Sequence, residues 1–452
     1  MNVKAKLAVP GVVLAALMLF PATQATAQAV ADEDDVDVEE VQTPNSQEQG
    51  QTSLDDSFTT SRRDIIREQR REAFKDTKYN VHLRSFYLDR NKFDDSVSKA
   101  WAGGGWAGLK TGWFRDRVSF GVTAMGSFPI EADEDEDGTT LLAPGQESYG
   151  VIGEIYAEVK ITDSMQANLG RRAYDTPYIN RNDNRMTPNT FEAYTITGLH
   201  GNAAEGESEW RYGGGYFHEI KERNSDEFVS MSEDAGADVE RGVYTLGANW
   251  KKGPWSIGAI DYYSDDIINI FYTEAKVVMT LGEEWKLTAS AQYTDEQAAG
   301  DLLLNGTDFD TNQWGIKGDL GWGPALFTLA YTQTANDSNM QNPWSGYPGY
   351  TSVQVEDFNR AGENAVMYRF GYGVAAVPGL SFYALYVDGD EPSNSGQFEK
   401  SEWDFNAQYA FPEGALKGLA LRFRFAQVEQ DDGTNSTLDD VRFIVDYVPP
   451  GL

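Results

Sequence analysis

Basic residues recur at alternate positions of the segments that read as strands: Lys110, Lys160, Arg172, Arg369, Arg422, Arg424 and Arg442. A guanidinium is a planar fork of donors that matches a carboxylate two bonds at a time. A row of such forks on one face suits the passing of a carboxylate from site to site without trapping it. The same side chains have a second reading, in which they pair with Glu154, Glu158, Glu402 and Asp404 and stiffen a wall. Another concentration of polar chemistry lies at 174–189, YDTPYINRNDNRMTPN, where Tyr178, Arg181, Asp183 and Arg185 stand between Pro177 and Pro188. A loop of that length inside a compact protein is usually functional. With both charge signs on a proline-stiffened backbone, it has what is needed to orient a zwitterion.

Other chemistries lack their parts. His82, His200 and His218 are scattered with no adjacent nucleophile, so no enzyme is expected. The chain has no cysteine, which excludes disulfides and thiol chemistry. Asp133, Asp135, Asp137 and Gly138 open like a calcium loop, but the twelfth position is Pro144, where a bidentate glutamate is required. No metal or other cofactor is therefore expected. The triple glycines at 103–105 and 213–215 lie within alternating segments with no helix to follow, and fit close strand packing better than phosphate binding. A net charge of −34 disfavours nucleic acid as a partner.

The elements that must position these residues divide in three. Lys4 and Lys6, an apolar run and Ala25-Thr26-Ala27 make 1–27 a signal peptide. Residues 28–78 form an acidic N-terminal extension, mostly disordered, with room for a short arginine-rich helix at 61–75. From 79 to 452 the pattern has period two. Val118, Phe120 and Val122 alternate with Ser119, Gly121 and Thr123; Trp403 and Phe405 with Glu402, Asp404 and Asn406; Leu421, Phe423 and Phe425 with Arg422 and Arg424. Met125 and Ile444 are apolar intruders on the polar face. The segments run to about ten residues, as tilted membrane strands do, and roughly eighteen can be counted, joined by connections that alternate short and long. The expected fold is all-β: a transmembrane antiparallel β-barrel of about eighteen strands, with long extracellular loops folding into the lumen. Apolar side chains would meet outer-membrane lipid, Trp101, Trp113, Trp250, Trp255, Trp322 and Tyr447 would mark the interfaces, and the basic residues would face the water inside.

Four ordered stretches carry a family resemblance: NRNDNRMTPNTFEAY at 180–194, ERNSDEFVSMSEDAG at 222–236, DFNRAGENAVMYRFGYGVAAVPGLSFYALYVDGD at 357–390, and LKGLALRFRFAQ followed by DDVRFIVDY within 416–447. With them the chain resembles the OprD family of substrate-specific outer-membrane porins. The resemblance implies a monomeric or weakly trimeric barrel in the outer membrane of a Gram-negative bacterium. It implies passive, selective diffusion of small water-soluble solutes in transit, often amino acids or other small carboxylates. It also implies a basic ladder containing Arg172, Arg369, Arg422 and Arg424, and an eyelet built by 174–189 and 335–364. The acidic stretch 28–60 departs from the family pattern. An alternative expectation is an outer-membrane receptor or adhesin that uses its long acidic loops for ligand binding.

Overall fold

In hydrocarbon an unpaired backbone N–H or C=O has no water to turn to, so a sheet can stand there only if it closes. The computed structural model describes residues 76–451 except 283, 345, 391, 394–396, 434 and 435; the signal peptide, most of the extension and the helix at 61–75 lie outside them. Within them the sheet closes. Each strand pairs antiparallel with its neighbour, and the last, Ser436–Tyr447, pairs with the first, Lys78–Asn91, so that Leu83 stands opposite Tyr447 and Asn91 opposite Asp439. Eighteen strands make the wall. A two-residue strand, Val229–Ser230, adds to the rim of Glu209–Lys221. The protein is a closed antiparallel barrel, as the alternation predicts.

The two faces also separate as expected. Phe443 is 51% exposed on the outside, and its ring lies 4.9 Å from that of Phe423, which in turn lies 6.3 Å from Phe405. Their sequence neighbours Asp404, Arg424 and Arg442 are buried on the other face. Trp101, Trp255 and Trp322 are on the outer surface, with Trp322 stacked on Trp285 at 5.4 Å. Trp113 is a correction. It is buried rather than at an interface, because its indole packs against the Lys160 ammonium, which lies 4.2 Å from the ring centre. That cation–π contact needs the ring out of lipid.

The inner face is not uniformly polar. It carries three apolar patches, each packed against an inward-folded connection. Phe86, Leu88 and Ile444 meet Leu141, Leu142 and Met186. Ile260, Tyr262, Ile270 and Tyr272 meet Tyr178, Ile179, Met340, Trp344 and Tyr347. Met367, Tyr383, Leu385 and Val387 meet Tyr350, Val353 and Phe358. A loop entering the barrel must bury apolar surface to stay there, and these patches provide the seats. Ile444 thus has a partner, and its place on the polar face is explained.

The outward placement of the aromatic band is testable. Phe443→Arg should lower the unfolding free energy in lipid vesicles by about 2–4 kcal/mol, the cost of a cation facing mid-bilayer hydrocarbon. Urea titration of vesicle-folded protein measures it; unchanged stability would contradict an outward Phe443.

Candidate functional site: the loop-narrowed lumen

Among the connections that fold into the lumen, two bring the charged groups of interest with them. The first, 173–189, starts where the Ala173 N–H donates to the inward carboxylate of Glu154 (3.0 Å). Arg181 closes on Asp175 within the loop, with Nε–Oδ1 at 2.8 Å; against the opposing effect of burial, Asp175 raises the Arg181 pKa. Asp183 accepts from Arg84 of the first strand (2.6 Å). Arg185 donates from Nε to the Thr139 carbonyl (2.8 Å), and its own carbonyl accepts from Arg84. Burial, and then repulsion from Arg223, Arg442 and Arg90, holds the Arg185 pKa well below the usual guanidinium range. Tyr178 is buried and donates its hydroxyl to Glu296 (2.8 Å), and burial pushes the phenol well up.

The second connection, 335–363, is held by wall carboxylates. Glu402 accepts the backbone N–H groups of Val355 and Glu356, both at 2.8 Å. Asp404 accepts that of Gln354 (3.2 Å), and the Gln354 amide donates to Asp440 (2.8 Å). Tyr350 donates to Glu274 (3.1 Å). A buried carboxylate is tolerable only when its lone pairs are met by donors, and here the loop backbone supplies many of them.

Along the wall the basic residues face in. Arg424 and Arg442 stand directly opposite each other on adjacent strands, each 2% exposed. Arg442 donates to Asp440 (2.6 Å) and to the Gln354 carbonyl (3.2 Å), and Arg90 reaches the same aspartate (2.7 Å). Arg422, one inward position nearer the short-turn end, donates to Asn406 (2.6 Å). Arg369 lies over the Tyr383 ring at 3.9 Å. On another sector Arg172 and Lys110 share Glu158, at 3.0 and 2.7 Å. Wall pairing is therefore real at Glu158, while Glu402 and Asp404 receive loop N–H groups.

The structure brings Asp183, Arg185, Arg424 and Arg442 into one charged neighbourhood and leaves Lys110, Arg172 and Arg369 on separate sectors of the wall. Sequence reading missed Arg84, Arg90, Arg223 and Asp440, which complete that neighbourhood. Burial lowers the Arg223 pKa to about 10, and its guanidinium donates to Asn184 (2.6 Å). For Arg84 and Arg90 the signal was the alternation His82, Arg84, Phe86, Leu88, Arg90, obscured by the two apolar members that seat a loop.

A closed barrel of this strand number, apolar outside and narrowed by its own loops, is that of an outer-membrane porin. Residues 72–450 match the model described as outer membrane porin, OprD family, and the chain belongs to that family. A curated relative, the porin-like protein GalP of Pseudomonas putida, is 23% identical over 393 residues, covering 82% of this chain and 92% of the relative. Among solved structures, Pseudomonas aeruginosa OccK9 (OpdG) superposes with a TM-score of 0.75 at 23% identity, covering 83% of this chain and 99% of that one. Acinetobacter baumannii OccAB3 gives 0.73 at 21%, covering 83% and 100%. Pseudomonas aeruginosa OpdK, solved with vanillate, gives 0.71 at 19%, covering 84% and 100%. The protein is therefore an outer-membrane channel, and its family and fold are those of porins rather than enzymes.

The Glu402 clamp makes a local prediction. Glu402→Ala removes the acceptor for two adjacent amides, and leaving such a donor unmet costs roughly 1–3 kcal/mol. Hydrogen exchange at Val355 and Glu356 should accelerate at least ~tenfold, since ~1.4 kcal/mol is a factor of ten. Unchanged exchange would mean the loop is held elsewhere.

Proposed function

We propose that this porin passes small water-soluble carboxylates, amino acids among them, by passive and selective diffusion through a lumen lined by a basic ladder and narrowed by a loop-built eyelet. Lys110, Arg172, Arg369, Arg422, Arg424 and Arg442 form the ladder. Tyr178, Arg181, Asp183 and Arg185 belong to the eyelet loop, with Tyr178 and Arg181 holding it and Asp183 and Arg185 set in the charged neighbourhood.

The observation that carries the reading is the facing pair Arg424 and Arg442. Like charges directly opposite across two strands destabilise a sheet, and a wall with only a structural task gains nothing from them. Their excess positive charge instead favours an anion in the lumen beside them. Asp440 offsets only part of this charge, because Arg90 and Arg442 both bond to it and Arg424 stands beside them. The vanillate recorded with OpdK is itself a small carboxylate, which agrees with this class of solute.

Replacing Arg422 and Arg424 together by Gln should slow carboxylate entry about tenfold, as the loss of ~1.4 kcal/mol of favourable interaction would. Neutral sugars of similar size should enter as before, and the barrel should still fold. Liposome swelling across both solute classes is the measurement. Equal rates for mutant and parent would return the two arginines to a structural role. Tight ligand binding with no flux of any solute would favour the receptor or adhesin reading instead.

A further inference from the structure

Glu296 lies on the inner face of Trp285–Ala298 and is 0% exposed. Its two oxygens serve different loops. Oε1 accepts the Tyr178 hydroxyl of the first connection at 2.8 Å, and Oε2 accepts the Gln341 backbone N–H of the second at 2.6 Å. The rings around it extend the link. Tyr178 meets Tyr347 edge-on at 6.2 Å and Tyr262 at 5.7 Å, while Trp344 lies 6.3 Å from Tyr262. The Trp344 indole N–H donates to the Met231 carbonyl at 3.0 Å, which ties in the connection carrying the one-turn helix Met231–Asp234.

We propose that Glu296 is a positioning residue for the constriction: beside the separate anchors of each loop, this one wall carboxyl group ties the two inward loops to each other at their shared seat, so that there they hold or release as a unit. This rests on the channel reading given above and adds how its aperture is set. The chemistry is specific. A buried carboxyl group needs partners at both oxygens, so displacing either loop leaves one oxygen unmet and weakens its hold on the other. The aromatic seat then separates along one shared surface rather than loop by loop. Glutamine in its place keeps a carbonyl for the Gln341 N–H and turns an amide N–H toward the Tyr178 oxygen, which can accept. The neutral isostere therefore preserves the latch, and alanine does not.

The chain has no cysteine, so a single introduced thiol is uniquely addressable. Ile179→Cys reports on the first loop and Met340→Cys on the second; both positions are buried in the shared seat. Each is placed in the parent, Glu296→Gln, Glu296→Ala and Tyr178→Phe backgrounds, folded in vesicles, and the rate of reaction with a water-soluble maleimide is measured. Both thiols should react slowly in the parent and with Glu296→Gln, and both should accelerate at least ~tenfold with Glu296→Ala, a shift of ~1.4 kcal/mol in the opening equilibrium. Tyr178→Phe, which keeps the ring and removes one hydrogen bond, should accelerate Met340→Cys although that residue is on the other loop. The latch is overturned if either thiol keeps its parent rate with Glu296→Ala, if Glu296→Gln reacts like Glu296→Ala, or if Tyr178→Phe leaves Met340→Cys unchanged. Planar-bilayer current of the parent barrel separates the two levels: no current overturns the channel reading, whereas a conducting barrel with unmoved thiols overturns the latch alone.

Discussion

The structure depends on one constraint: a strand in lipid must find hydrogen-bond partners on both edges. Pairing of Lys78–Asn91 with Ser436–Tyr447 satisfies it, and much else follows. A ring of eighteen strands is too wide for wall side chains alone to fill. The outer face must be apolar and the inner face must suit water, which sends Phe443 and Arg442 in opposite directions from adjacent positions. Connections at one rim are free to be long, and some of them return into the space the ring encloses.

Returning loops reverse the local rule. A loop inside an aqueous lumen has apolar side chains of its own to bury, so the wall answers with Phe86, Leu88, Ile260, Ile270 and Leu385 on a face that would otherwise be polar. Polar anchors accompany each seat. Glu154, Glu296, Glu402 and Asp404 accept N–H or O–H groups from loops rather than waiting for mobile cations. The consequence for electrostatics is large. In a chain of net charge −34, several inward acids are committed to holding loops, while a guanidinium cluster gathers around Asp440.

Strand existence, order and facing were legible in the sequence, because period-two alternation records which side meets lipid. The length contrast of the connections was legible for the same reason, since loops need not obey that period. What stayed hidden was wherever a strand residue meets a loop instead of lipid or water. Phe86 and Leu88 mask the inward phase of Arg84 and Arg90, and Trp113 reads as an interface residue when it shelters Lys160. Arg172, Arg369, Arg422 and Arg424 were readable as inward. The convergence of Arg90, Arg185, Arg223 and Arg442 on one region was not, because they come from distant parts of the chain and only barrel closure and loop return bring them together.

The proposed basic ladder requires that the inside of this acidic protein favour small anions. Reversal potential across a planar bilayer, with a gradient of the potassium salt of a small organic acid, tests it directly. A lumen with that preference gives a potential of the sign set by preferential movement of the carboxylate. A potential of the opposite sign, showing that potassium moves in preference, would contradict it.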